Sequence, residues 1–326
     1  MTVTILATAP LRGPGLRALR GVATVVEEPW LTGPHEPIRL LDADALAARI
    51  EAAGADVVIT EADSVAGPVL ELPLRAVGST RGDPTNVDVA AATKRGIPVL
   101  RAPARNADAV AELTVGLLLA CTRGIVAADG DVRGGRVFAD GTIPYQRYRG
   151  WQIAGRTVGI VGLGAVGRAV RWRFEGLGMR VLSYDPYADD TTHTDLDAML
   201  PSCDIVSLHA AVTPETVGTM SADRLARLPE GAVYLNTARA ALHDLGALTA
   251  ALADGHLAAA GLDHFDGEVL PTDHPLAGMS NVVLTPHIGG ATYDCEANHT
   301  QAMADGLAAL LAGERPANLV NPEAFQ

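Results

Sequence analysis

Cysteine is scarce in this chain. The 326 residues contain three, Cys121, Cys203 and Cys295. They lie far apart and follow no paired or metal-ligand spacing, so no metal site is expected and they read as reduced thiols of a cytoplasmic protein. Positive charge is also in deficit. Basic residues number 25 against 38 acidic ones, a formal net charge of −13, which repels nucleic acid and anionic lipid and argues against partners of either kind. No basic segment precedes the short apolar stretch before Pro10, so a cleaved signal is not expected. The longest apolar stretch inside an expected helix, Val115–Cys121, is far too short to span a bilayer, and no membrane association is expected. There is no short-period repeat and no low-complexity tract. What remains is a chain with 48% hydrophobic residues, long enough for two domains with separate cores.

The first hundred residues alternate short apolar strands with helical stretches. Strands are expected at Val3–Ala7, Val22–Val26, Val57–Thr60, Arg75–Ser79 and Pro98–Leu100, with helical periodicity over Asp44–Ala53 and Val87–Arg95. This rhythm predicts a small parallel α/β domain. A longer helix, Ala107–Thr122, follows a capping residue at Asn106 or Asp108 and reads as a spine connecting two domains. A second βα series begins near Trp151, with later strands at Ile205–His209, Val233–Asn236, Ala259–Asp263 and Val282–Thr285. A last helix, Asp294–Ala312, is expected to return to the first domain.

The most informative segment is Val158 to Gly167, Val-Gly-Ile-Val-Gly-Leu-Gly-Ala-Val-Gly. A strand, Thr157–Val161, runs into Gly162, Gly164 and Gly167. A helix, Ala165–Glu175, and a second strand, Arg180–Tyr184, follow, with Asp185 at its end. Strand, glycines, helix, strand and acid in this order form a dinucleotide-binding fingerprint. Gly162 permits the tight turn, Gly164 lets backbone approach a pyrophosphate, and Gly167 lets the helix lie close to the sheet. The N–H groups at the helix start, over Ala165 and Val166, then face the phosphates. Asp185 can accept hydrogen bonds from a ribose diol and would repel a 2′-phosphate, which favours NAD over NADP. Its alternative role is to cap the Asp-Pro turn.

Three further motifs sit at expected strand ends. Leu235-Asn236-Thr237-Ala238-Arg239 places a guanidinium where it can hold a carboxylate. Gly261-Leu262-Asp263-His264-Phe265-Asp266-Gly267-Glu268 supplies acids after the next strand, and Thr285-Pro286-His287-Ile288-Gly289-Gly290 puts a histidine after the last. Arginine, carboxylate and histidine suit reduction of a 2-oxo acid. That reaction needs a hydride, a proton for the nascent alkoxide and fixed positive charge for the carboxylate.

In this order the motifs resemble the D-isomer-specific 2-hydroxyacid dehydrogenases, the family of phosphoglycerate, glycerate, formate and D-lactate dehydrogenases. The likeness extends to Asn86-Val87-Asp88, Lys94 to Val99, Val110-Ala111-Glu112 and Thr213-Pro214-Glu215-Thr216. It implies two doubly wound parallel-sheet domains. A Rossmann cofactor domain, 103–286, would be inserted into a discontinuous flavodoxin-like substrate domain, 1–102 and 287–326, with dimerisation through the cofactor domain. It also implies a catalytic set of Arg239, Glu268 and His287, with His287 as proton donor and Glu268 favouring its imidazolium form. Thr237, Asp263 and Gly289 are then candidates for the nicotinamide ring, and Thr216 for the cofactor. The substrate would be a small anionic 2-hydroxy or 2-oxo acid. An alternative is a dinucleotide-sensing corepressor-like scaffold with little catalysis.

The chain departs from that pattern in the loop Ser79-Thr80-Arg81-Gly82-Asp83-Pro84-Thr85-Asn86. Small residues are usual there, and their amides bind the substrate carboxylate. Thr80, Arg81 and Gly82 are therefore the expected substrate contacts, Arg81 meeting a second anion such as phosphate, phosphonate or carboxylate. The other reading is an outward Arg81 paired with Asp83. Val269 and Ala211 each replace a usual proline, and Ala240-Ala241 stands where glycine is common. The chain stops shortly after its last expected helix, so no regulatory extension is expected.

Overall fold

The computed structural model describes residues 3–33 and 35–325. The chain divides into two compact units. One is built from the chain up to Asn106 and again from Thr292 onward, the other from Ala107 to Ala291. Both boundaries lie a few residues later than the sequence suggested. Residues before the first stay with the first unit because Asn298 Nδ2 donates to the Arg105 carbonyl and Arg105 bonds the His299 ring. His287 moves into the second unit because Asp263 holds the turn that carries it.

In the first unit, β1 (Val3–Ala7), β2 (Ala23–Glu27), β3 (Val57–Thr60), β4 (Ala76–Ser79) and β5 (Val99–Leu100) form one parallel sheet, ordered β2-β1-β3-β4-β5. This is the flavodoxin-like order. β3 and β4 are buried along their whole length, as expected of strands covered on both faces. Alternate residues enter opposite cores: Leu6, Val58 and Val77 one, Ile5, Val57 and Ile59 the other. The Ala43–Ala53 helix starts where the Asp42 carboxylate accepts from Ala45 N.

A helix spans Gly13–Val22, where no element was expected from the sequence. Proline costs nothing in the first helical turn, and Leu19 joins the core formed with Met303, Ala304 and Leu307 of the Tyr293–Leu311 helix. This helix also displaces the start of β2 from Val22 to Ala23.

The second unit holds β6 (Thr157–Val161), β7 (Arg180–Tyr184), β8 (Ile205–Leu208), β9 (Ala232–Asn236), β10 (Leu257–Leu262) and β11 (Val282–Leu284), all parallel and ordered β11-β10-β9-β8-β6-β7. Strand order reverses beside β6, so a crevice opens where β6 and β8 end. The Ala107–Arg123 helix proves to be a core helix of this unit. Its Leu117 and Leu118 pack with Val158, Ile160, Val233 and Leu235. A further helix, Ile125–Arg133, has no buried residue. Among the described residues no single helix is long and apolar enough to cross a membrane.

Candidate active site

At the end of β6 the three glycines do different things. Gly162 has φ +95°, and a Cβ there would lie 2.4 Å from Ala210 N. A Cβ on Gly167 would lie 2.0 Å from the Gly162 carbonyl oxygen, so these two serve the close approach of strand, loop and helix. Gly164 has nothing within 4 Å of its would-be Cβ. It also caps the Ala165–Gly176 helix without a side chain, leaving the first-turn N–H groups of Ala165, Val166 and Gly167 to an outside acceptor. An open, side-chain-free helix start of this kind fits a dinucleotide pyrophosphate.

Asp185 caps the Asp-Pro turn and also braces the glycine loop. Oδ1 accepts from Tyr187 N at 2.8 Å and Oδ2 from Leu163 N at 2.7 Å. A carboxylate has about four acceptor positions, so two remain for a ribose diol. Thr216 Oγ1 accepts from Thr213 N and donates to the Ala211 carbonyl, shaping the loop beyond β8. His209, at the end of β8, bonds Ser207 through Nε2, while its buried Nδ1 has no partner. Burial pushes the His209 imidazole down to about 3.

Because β9, β10 and β11 are adjacent and parallel, their carboxyl ends deliver three loops side by side. Asn236 folds the first loop: its Oδ1 accepts from Ala238 N, and its Nδ2 donates to the Arg239 carbonyl. His243 Nδ1 receives both Asn236 Nδ2 and the Tyr234 hydroxyl. Arg239 is exposed, and among the described residues its guanidinium has no carboxylate partner. Its NH1 donates to the Ala238 carbonyl at 2.6 Å and reaches His264 Nε2 at 3.4 Å.

Asp263 is wholly buried. Oδ1 accepts from Thr285 Oγ1 at 2.6 Å and Ile288 N at 2.9 Å, and Oδ2 from Gly289 N at 2.8 Å. These three bonds make Asp263, which the resemblance offers to the nicotinamide ring, a clasp on the turn carrying His287. Gly289 is part of the same clasp, and Thr237 Oγ1 is hydrogen-bonded to Thr114 Oγ1 at 2.8 Å. His287 and Glu268 both adopt left-handed backbone, φ +55° and +61°, a conformation that costs non-glycine residues about 1–3 kcal/mol each and persists only where the surrounding structure holds it. Here the result is a hydrogen bond of 2.8 Å between His287 Nδ1 and Glu268 Oε1. With Nδ1–H turned to the carboxylate, Nε2 is left for proton exchange. Val269 in place of proline does not prevent the pairing.

The residue the sequence reading passed over is His264. Only 5% exposed, it packs its ring on His287 with centroids 3.8 Å apart and an interplanar angle of 54°. Nitrogen and oxygen atoms of His264, Glu268 and His287 all lie within 4.8 Å of one another. The Arg239 cation beside His264 and the existing His287–Glu268 bond both oppose a metal ion there. The available signal was its place between an acid and an aromatic in a strand-end motif.

The substrate-loop residues Thr80, Arg81 and Gly82 lie in the first unit. Thr80 is buried, its N donating to the Thr60 carbonyl and its Oγ1 unpartnered. Arg81 is not paired with Asp83. Its Nε donates to the Glu61 carbonyl at 2.6 Å and its NH1 to Thr85 Oγ1 at 3.1 Å.

A nucleotide cradle at one part of a parallel sheet and a histidine–carboxylate–arginine set at another define the class as a dinucleotide-dependent dehydrogenase. Residues 115–289 match the model of the D-isomer specific 2-hydroxyacid dehydrogenase NAD-binding domain. The chain is 36% identical to a glyoxylate reductase of Thermofilum pendens, covering 96% of this chain and 93% of that protein. It is also 36% identical to a D-3-phosphoglycerate dehydrogenase of Mycobacterium bovis over 91% of this chain and 55% of that protein. The crystal structure of the TT0316 protein of Thermus thermophilus superposes with a TM-score of 0.82 at 34% identity, covering 98% and 100% of the two chains. The chain belongs to the D-isomer specific 2-hydroxyacid dehydrogenase family. Its relatives are oxidoreductases, and the corepressor-like alternative finds no support among them. Structural neighbours include an NAD-complexed Lactobacillus enzyme and an NADPH-dependent reductase of Sinorhizobium meliloti, each at 26% identity with a TM-score of 0.79.

Proposed function

We propose that this dehydrogenase interconverts a small D-2-hydroxy acid and its 2-oxo acid with NAD, using Arg239, Glu268 and His287. The observation that carries the reading is the 2.8 Å bond between His287 Nδ1 and Glu268 Oε1, with Arg239 left free of carboxylates at the neighbouring strand end. In reduction, Nε2 of His287 gives its proton to the substrate oxygen, and in oxidation it takes one back. Glu268 fixes the ring and stabilises the charge on the imidazolium. Arg239 orients the substrate carboxylate and polarises the adjacent carbonyl. The bound nicotinamide supplies or accepts the hydride. The free acceptor positions of Asp185 favour NAD, since its negative charge repels a 2′-phosphate.

Arg81 supplies a cation for a second anionic group on the substrate, a reading supported by its hydrogen bonds to uncharged acceptors only. One experiment tests both proposals: the nicotinamide absorbance change with NADH or NADPH and a panel of mono- and dianionic 2-oxo acids, run on the native protein, His287→Ala and Arg81→Ala. Turnover with NADH that vanishes in His287→Ala is expected, with Arg81→Ala losing dianionic substrates selectively. Equal loss for both substrate types would remove Arg81 from recognition, and no turnover on any member would sink the reaction assigned.

We further propose a cytoplasmic homodimer. The reading is supported by the Ile125–Arg133 helix, which buries nothing, and by the exposed apolar side chains of Ile125, Val126 and Val132 on it and of Phe138 and Ile143 after it, groups that a second copy would cover. Light scattering should give twice the 33.8 kDa chain mass, and Val126→Asp should lower it; a native monomer would refute the proposal.

A further inference from the structure

The strand-end motif Asp263-His264-Phe265 puts an imidazole between the two groups assigned to the substrate. His264 Nε2 faces Arg239 NH1 at 3.4 Å, and its ring lies 3.8 Å, centroid to centroid, from that of His287. Both neighbours need bracing. Arg239 is a long exposed side chain whose other hydrogen bond is to the adjacent Ala238 carbonyl. His287 sits on strained backbone, with 42% of its side chain exposed. His264, at 5% exposure, is the rigid member of the three.

We propose that His264 is a positioning residue that couples the carboxylate clamp to the acid–base histidine, Nε2 accepting a hydrogen bond from Arg239 while the ring face braces His287. This rests on the roles given above to Arg239 and His287. The charge pattern agrees with it. Burial, and then the neighbouring His287 and Arg239, push His264 down to about 4, against the smaller opposing pull of Asp263 and Glu268. It is therefore a neutral acceptor at ordinary pH, and with Nε2 accepting, its proton resides on Nδ1. A protonated His264 would lose the Arg239 bond and set a second cation against an imidazolium at His287.

Two substitutions separate the two contacts. His264→Phe keeps a ring against His287 and removes the acceptor, while His264→Gln keeps an acceptor near the Nε2 position and removes the ring. The Phe variant should raise KM for the 2-oxo acid about tenfold, the scale of one hydrogen bond to a charged group, with kcat close to native. The Gln variant should keep KM and lower kcat, with a changed pH profile. Phe and Gln variants with the same KM and kcat changes, or both with native kinetics, would overturn the proposal.

Histidine side-chain NMR on the full-length protein reads the same geometry without turnover. His264, assigned by its loss in the Phe variant, should stay neutral to about pH 4 with the proton on Nδ1, and Arg239→Ala should shift its Nε2 resonance. A His264 that titrates near the ordinary histidine value, or an Nε2 indifferent to Arg239→Ala, would refute the coupling. Inactivity of the native protein on every 2-oxo acid would instead refute the reaction, so the two failures are distinguishable.

Discussion

The carboxyl edge of the second sheet is built in two different ways. Where β6 ends, the chain presents bare backbone: Gly164 opens a space, and the first turn of the following helix offers N–H groups. Where β9, β10 and β11 end, it presents side chains, and it bends the backbone to aim them. His287 and Glu268 sit at positive φ, and the buried Asp263 carboxylate spends three hydrogen bonds holding the turn in place. A phosphate can be met by any chain that supplies amides and room, so one contiguous motif suffices. Proton exchange and carboxylate orientation need particular atoms in register, and three loops distant in sequence must be locked together.

The largest expected effect breaks one side and spares the other. His287→Ala should lower kcat by about 10²- to 10⁴-fold, the usual worth of a general acid–base group, while NADH binding followed by fluorescence stays native. Cofactor affinity falling in step with kcat would show that the two halves are not separable.

The glycines sharpen the backbone half. Gly167→Ala drives a Cβ to 2.0 Å from the Gly162 carbonyl oxygen and should lower thermal stability by several degrees, as a loss of about 1–3 kcal/mol from overpacking does. Gly164→Ala, with open space around its Cβ, should leave the melting temperature of the cofactor-free protein unchanged and weaken NADH binding. Equal melting temperatures for the two variants would contradict the division of labour between these glycines.

A third test concerns acid. Burial pushes His209 down to about 3 and His243 and His264 down to about 4, all below the ordinary value near 6.5. The unfolded chain therefore binds more protons than the folded one between these values. Stability is full above about pH 6.5, falls as the pH drops through that point, and reaches its full loss near the folded values. Denaturant midpoints should decline from pH 7 to pH 4.5, and His264→Phe should flatten part of that slope. A slope unchanged in the variant would mean that His264 is not held neutral.

Much of the second unit was legible because its signals are local. The glycine spacing, the apolar strand runs and Asp185 place the β6–β7 half directly, and the order of the Asn236, Glu268 and His287 motifs placed their loops at strand ends. The Gly13–Val22 helix was not legible, since two glycines and Pro14 in its first turn carry little helix propensity and its support comes from burial of Leu19 against the Tyr293–Leu311 helix. The Ile125–Arg133 helix, with nothing buried, gave no periodic signal toward a core. The resemblance made Asp263 a candidate for the nicotinamide ring, but its hydrogen-bond partners Thr285, Ile288 and Gly289 were not legible, because they become neighbours only when β10 pairs with β11.

By itself, then, the sequence determined the alternating parallel α/β pattern and the nucleotide cradle, because hydrophobic periodicity and the steric demands of glycine act over a few residues at a time, and the order of its motifs carried the resemblance to the family. Only the tertiary structure decided which atoms meet: that His287 turns Nδ1 to Glu268, that Asp263 is a clasp, that Arg81 bonds Glu61 and Thr85 rather than Asp83, and that His264 stands between Arg239 and His287. These are contacts between side chains on separate elements. Their partners are set by strand order and by burial, neither of which any short stretch of sequence carries.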